Sequence, residues 1–298
     1  MPHRTFFGLT ASLLLLLSLA TSDRQGSVAF VGSLTLPEGR DFKGWSGVEI
    51  APDGTTLFAL SDRTRLITAT LQRNDGKPAG LTDVTSVHLR DDTGKPIRAG
   101  FDSEGLALGP DGALYVSFEG WERVWRWEKP GDAATWKPDF PHPDIAPKNK
   151  GLEALAVDDR GDAYTIFEHT GGQTMLQVYR LSGREWSAPF TLPRRGAFKP
   201  VGADFGPDGR FYLLERAFYP PIGFASRIRR FDFSPEGLSN ETVLLKTRVG
   251  RHANLEGLSV WRDDTDAIRL TMVSDNNGLK LLRNQIVEYR VAKNAAGR

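Results

Sequence analysis

Glu104-Gly105-Leu106-Ala107-Leu108-Gly109-Pro110-Asp111-Gly112-Ala113-Leu114-Tyr115-Val116-Ser117-Phe118-Glu119 reads as two short apolar strands on either side of a tight turn. In Pro110-Asp111-Gly112 the proline presets φ, the aspartate bonds back to the backbone and the glycine takes positive φ. The flanking runs are rich in aliphatic and aromatic residues, so the unit is a β-hairpin. The same pattern returns at Ser46–Asp62, Glu153–Glu168, Gly202–Glu215 and, with a longer turn, Glu256–Asp275. A unit that recurs at this spacing is the mark of a repeat architecture.

Each hairpin is followed by further candidate strands. They are Leu66–Leu71 and Val84–Leu89, Arg123–Trp127 and a weaker one at 135–138, Leu176–Leu181 and Ala188–Leu192, and Ser226–Phe233 and Thr242–Thr247. The last unit has only Gln285–Val291, and Val28–Leu36 at the other end of the chain can supply its missing strand. An outer strand borrowed from the opposite terminus is how a β-propeller closes its ring. The fold class expected is therefore all-β, a propeller of five four-stranded blades occupying residues 26–293. A sixth blade would need a hidden unit after Asp62. No stretch of the mature chain keeps a helical period, and the Pro- and charge-rich run Asp132–Asn149 reads as a long loop.

Composition narrows the function classes. The chain carries 38 Lys and Arg against 37 Asp and Glu, a net charge of +1, with no long basic run, so neither nucleic acid nor an anionic membrane surface is an expected partner. Cysteine is absent, which excludes disulfides, thiolate metal sites and Cys nucleophiles. His3 and Arg4, an apolar run from Phe6 to Ala20, and the small-x-small step Ser18-Leu19-Ala20 read as a signal peptide over residues 1–22. The run is short for a membrane span. A periplasmic or secreted monomer with no membrane span after cleavage is expected.

The repeat also places acids. In a propeller the first strand of each blade lines the axis and the second runs back antiparallel to it. The start of the first strand and the end of the second thus meet at one mouth of the channel. Glu104, Glu153 and Glu256 open first strands, while Asp62, Glu119, Glu168, Glu215 and Asp275 end second strands. Blades one and four lack the opening acid and carry Glu49 and Asp204 further along, facing the channel wall. Clustered carboxylates need a cation, a basic neighbour or protonation. A hard cation, Ca²⁺ first, suits several carboxylate oxygens. The alternative is that the acids cap strand ends or pair with neighbouring arginines to staple blade to blade.

The assignments that follow are Glu104, Glu153, Glu256 and His252 for catalysis, and Glu119, Glu168, Asp275, Asp62 and Glu215 for metal. Arg216, Arg251, His169 and Arg63 are assigned to a small-molecule ester or other anionic ligand. Trp125 and Trp127 alternate with charges as packing residues, whereas Trp121 could line a pocket. No Gly-x-Ser-x-Gly elbow, P-loop, dinucleotide fingerprint or His-Glu-x-x-His is present.

Four segments together carry a resemblance: Glu104-Gly105-Leu106-Ala107 with its Pro-Asp-Gly turn, Gly151-Leu152-Glu153-Ala154-Leu155-Ala156, Asp204–Arg216 and Asn254-Leu255-Glu256-Gly257-Leu258-Ser259-Val260-Trp261. With them the chain resembles the phytase-like family, described as having esterase-like activity of phytase, over nearly the whole mature sequence. The resemblance implies an exported bacterial propeller and hydrolysis of phosphate or carboxylic esters. The dense phosphate-binding motifs of calcium-dependent propeller phytases have no counterpart here, so phytate does not follow as substrate. Three functions stay open at this point: a Ca²⁺-assisted ester hydrolase, a non-catalytic periplasmic binding propeller, and a metal-dependent lactonase of the gluconolactonase type.

Overall fold

The computed structural model describes residues 27–97, 102–135, 138–141, 151–168, 172–234, 236–276 and 282–292, so the segment 1–22 that the sequence reads as a signal peptide lies outside the described residues. Among the described residues no helix is long and apolar enough to cross a membrane. The protein is a five-bladed β-propeller. The N-terminal strand β1 (Val28–Thr35) precedes blade one, which is β2 (Trp45–Ile50), β3 (Thr56–Ser61), β4 (Arg65–Asn74) and β5 (Lys77–His88). Blade two is β6 (Asp102–Leu108), β7 (Leu114–Glu119) and β8 (Arg123–Trp127), with Thr135 bridging to Arg126 where a fourth strand would run. Blade three is β9 (Leu152–Val157), β10 (Ala163–Phe167), β11 (Met175–Ser182) and β12 (Glu185–Pro193). Blade four is β13 (Lys199–Phe205), β14 (Phe211–Tyr219), β15 (Gly223–Ser234) and β16 (Gly237–Lys246). Blade five is β17 (Asn254–Arg262), β18 (Ile268–Asp275) and β19 (Gln285–Val291), completed by β1, which pairs antiparallel with β19 from Val28 opposite Val291 to Thr35 opposite Gln285. The ring closes as the sequence predicts.

The repeated turns are built alike. Gly54, Gly112, Gly161 and Gly209 all have positive φ, and each donates its N–H to the carbonyl three residues back, at 2.9–3.0 Å. The outer strands β5 and β16 run longer than their apolar pattern suggests, because half-exposed outer strands carry little hydrophobic signal.

Five apolar clusters sit one between each pair of adjacent blades. The cluster between blades four and five contains Tyr212, Leu214, Leu258 and Met272, and that between blades two and three contains Tyr115, Leu155, Phe167 and Tyr179. The others join blades five and one, one and two, and three and four. Each blade face is thereby buried on its neighbour, which stabilises the ring as a whole. Two buried ion-pair staples add specificity. Glu288 of β19 takes Arg269 and Arg73, tying blade five to blade one. Glu215 of β14 takes Arg227 and Arg229, whose other N–H groups donate to the carbonyls of Arg195 and Pro193 at the end of blade three.

Five inner strands around one axis leave little room. A Cβ on Gly257 would lie 2.5 Å from the Val48 nitrogen, one on Gly202 2.6 Å from the Glu256 carbonyl oxygen, and one on Gly105 2.7 Å from the Leu155 Cβ. Gly105 and Gly257 of the repeated Glu-Gly-Leu, and Gly202 of blade four, are therefore dictated by contact between adjacent inner strands, and these glycines form a collar just below the mouth.

A carboxylate mouth as candidate functional site

Each inner hairpin slips register once, at its mouth end. The slips fall between Trp45 and Gly47, Ser103 and Leu106, Pro200 and Gly202, and Leu255 and Leu258, while in blade three the slip leaves Glu153 without a partner. The inner-strand residues within these bulges are Ser46, Glu104 with Gly105, Glu153, Val201, and Glu256 with Gly257. A bulge bends the strand and re-aims the inserted side chain, so the three opening glutamates leave the ladder and turn into the mouth.

There Glu104, Glu119 and Glu153 converge, with one carboxylate oxygen from each lying within 4.8 Å of the others. Glu119 Oε2 accepts the Gly151 N–H at 3.0 Å. Among the described residues no hydrogen-bond donor reaches the side chain of Glu104 or Glu153. Burial, then the charges of Glu153, Glu256 and Glu119, push Glu104 well above the usual carboxylate range. Burial raises Glu153 to about 8 even though Arg216 opposes the shift. Glu119 is raised by burial and held back by its Gly151 bond. Three crowded carboxylates that, among the described residues, receive a single backbone N–H between them are a hard-oxygen donor set, and the residues fit a Ca²⁺-type ion.

Beside this trio stands a polar hub. Arg216 Nη1 donates to Glu256 Oε1 at 2.5 Å and to Asn254 Oδ1 at 2.6 Å, and Nη2 donates to Glu168 Oε1 at 3.2 Å. Burial works against the Arg216 charge, but Glu256, Glu153 and Glu168 outweigh it and hold the guanidinium protonated. Glu256 is raised to about 7 by burial, with Arg216 pulling the other way. Lys199 reaches Glu168 only at 3.5 Å and is 34% exposed. A cavity of ≈ 290 Å³ opens here. Glu168, Lys199, Arg216, Asn254 and Glu256 line its polar side, and Phe218 and Phe224 line its apolar side.

A further acidic group flanks the mouth at blades one and five. Asp62 is raised by burial and feels the charges of Asp275 and Asp102, and Asp275 Oδ1 accepts the Gly44 N–H at 3.1 Å.

Below the glycine collar lies a second carboxyl layer. Glu49 is 3% exposed; its Oε2 accepts the Ser259 hydroxyl at 2.9 Å, while Oε1 has no partner. Asp204 accepts the Val260 N–H at 2.6 Å, and burial raises it to about 8. Burial and then Asp204 push Glu49 upward as well. The two blades that lack an opening glutamate supply this deeper pair.

Several sequence-assigned residues stand elsewhere. Glu215 is not in the mouth: consecutive residues of β14 face opposite ways, so Arg216 points to the mouth while Glu215 is fully buried on two arginines. The arginine-staple alternative is the correct one for this acid. His252 packs with Phe30 and Tyr289 and meets the Tyr289 hydroxyl at 2.7 Å. Burial lowers its pKa to about 4. Arg251 lies over the Phe30 ring, and Arg63 is 86% exposed, 4.0 Å from Asp62. His169 lies outside the described residues. Trp125 and Trp127 are core residues, while Trp121 is half exposed beside Arg123. Sequence reasoning missed Asn254, Lys199 and Asp102, although Asn254 stands two residues before Glu256 in the most specific motif.

The sequence profile of the family described as phytase-like, esterase-like activity of phytase, matches residues 40–278. The chain belongs to that family. No curated protein matches it. Among solved structures, an exo-β-1,3-galactanase from Phanerochaete chrysosporium superposes with a TM-score of 0.54 at 9% identity, covering 87% of this chain and 64% of that one. An α-L-arabinofuranosidase from Podospora anserina gives 0.48 at 16% identity, covering 88% of this chain and 96% of that one. A calcium-binding protein, regucalcin, from Agrobacterium tumefaciens gives 0.48 at 12%, covering 84% and 91%. At such identities the likeness concerns the fold alone.

Proposed function

We propose that this phytase-like propeller is a cation-assisted hydrolase of small phosphate or carboxylic esters, with Ca²⁺ as the ion and the carboxylate mouth as the active site. The observation that carries the reading is the convergence of Glu104, Glu119 and Glu153, with no hydrogen-bond donor on the first or last of them among the described residues. A divalent ion held by these three side chains would supply Lewis-acid polarisation of an ester oxygen.

The remaining parts belong to the chain. Arg216, fixed by Glu168, Asn254 and Glu256, sets a positive wall beside the trio. Lys199 presents its ammonium to the cavity, where an anionic ester oxygen would sit. Glu256 uses Oε1 for Arg216 and Asn254, which leaves Oε2 to take up or release a proton. Its pKa of about 7 suits both directions near neutrality. His252, neutral and engaged with Tyr289, has no part in this scheme. The N-terminal segment directs the protein to the periplasm or the medium, where a Ca²⁺ site with a Kd of about 10⁻⁴–10⁻³ M is sufficient.

Hydrolysis of p-nitrophenyl phosphate and p-nitrophenyl acetate after EDTA treatment and Ca²⁺ return, paired with thermal melting, tests the proposal. Turnover restored by Ca²⁺ supports it. Absence of turnover with every divalent ion, together with no Ca²⁺-dependent rise in melting temperature, sinks it. A melting shift without turnover would favour a binding propeller, and turnover confined to lactones would favour the lactonase.

A further inference from the structure

Blade four rises above the rim of the mouth. Its second strand has nine residues where those of blades one, two, three and five have six, six, five and eight. The extra residues are a continuation of the hairpin: Ala217, Phe218 and Tyr219 pair with Ala225, Phe224 and Gly223. A small apolar cluster of Phe198, Ala217 and Ala225, with Val249 against it, anchors this extension on the blade. The Phe218 and Phe224 rings lie 4.7 Å apart, centroid to centroid, and Phe218 is 59% exposed. Both rings line the cavity that Lys199, Arg216 and Asn254 also line, with Arg216 two residues before Phe218 on the same face of β14. Exposed aromatic surface next to a polar cluster in one cavity is the form of a ligand site with an apolar end and a polar end.

We infer that this cavity seats a single aromatic ring of the substrate, so that the substrate class is small aryl esters with an anionic or strongly polar ester group. The ring rests on Phe218 and Phe224, and the polar group lies toward Lys199, Arg216 and the carboxylate trio. The volume of ≈ 290 Å³ is at the small end of ligand cavities, roughly 300–1,000 Å³, which fits one ring and its polar head. The identity of the polar end as an ester rests on the hydrolytic proposal above; the ring seat does not.

Isothermal titration of the mature chain with phenylphosphonate and methylphosphonate, neither of which is turned over, measures the seat directly. Ring-on-ring contact plus burial predicts that phenylphosphonate binds about tenfold more tightly. Phe218→Ala cuts that preference to about threefold or less, and Phe218→Leu, which keeps apolar area without the ring, retains part of it. Phe218 is exposed, so the core survives either change, and melting curves verify this. Equal affinity for the two probes, binding of neither, or a preference that persists in Phe218→Ala overturns the inference. Ring preference without turnover of any ester supports the seat and refutes the hydrolytic proposal. Ca²⁺-dependent turnover with the same kcat/KM for matched aryl and alkyl phosphates does the reverse.

Discussion

Asp204→Asn is expected to make the protein more stable, and increasingly so as pH rises. Asp204 sits on β13 below the glycine collar, 8% exposed, with the Val260 N–H at 2.6 Å and no cationic side chain among its bonds. Burial raises its pKa to about 8, with the N–H groups of Val260 and Phe205 offsetting part of the effect. In the unfolded chain the same group titrates near 3.9. A raised folded pKa means that the native state binds the proton more tightly. The stability from this preference is complete below about pH 4 and is lost as pH climbs through 8. At about 1.4 kcal/mol per pH unit over about four units, the loss is at most about 5 kcal/mol. Asparagine is neutral at every pH and keeps an oxygen for the Val260 N–H. It also removes the charge that helps to raise Glu49. The variant should match the wild type at pH 4 and exceed it by about 3–5 kcal/mol at pH 8. Urea unfolding at pH 4, 6 and 8 in EDTA, with m-values compared, measures the difference. A difference that does not change with pH, or a variant less stable than wild type at pH 8, would refute the reasoning.

Three further outcomes are expected. Ca²⁺ at a hundredfold excess over its Kd should stabilise the wild type by about 2.7 kcal/mol, and Glu153→Gln should abolish that rise in a calorimetric melt while leaving the EDTA-treated protein folded. Gly105→Ala puts a methyl 2.6 Å from Ser117 Oγ and 2.7 Å from Leu155 Cβ; a loss of about 3 kcal/mol in chemical denaturation is expected, and a neutral result would mean the inner strands can part. Glu215→Gln leaves Arg227 buried without its counter-charge and Arg229 with only Glu241 at 3.4 Å; a loss of about 3–5 kcal/mol is expected, with no change in Ca²⁺ affinity, and weakened Ca²⁺ binding would return Glu215 to the mouth.

The propeller, its five units and its N-terminal closing strand were legible because hairpin chemistry is local. Pro-Asp-Gly turns, strand alternation and the Glu-Gly-Leu opening are each set by neighbouring residues, and β8 and β19 were read with the bounds that they have. Glu104, Glu119, Glu153 and Glu256 were placed at the mouth by counting along the repeat. The count failed at Glu215, where a strand read as ending there continues through Arg216 to Tyr219. It could not show that Phe218 and Phe224 wall a cavity, because exposed rings on an extended hairpin look the same in sequence as core residues. It placed Glu49 and Asp204 along the channel wall, but could not show that they come close enough for Asp204 to raise Glu49, since they come from blades that are not adjacent. By itself the sequence determined the fold, the number of units and the presence of a ring of acids, all consequences of period-two strands and tight turns. Only the tertiary structure decided which acids converge and which are spent on arginines. A single-residue bulge at the mouth of each blade turns a side chain out of the ladder, and its direction depends on how five inner strands pack around one axis.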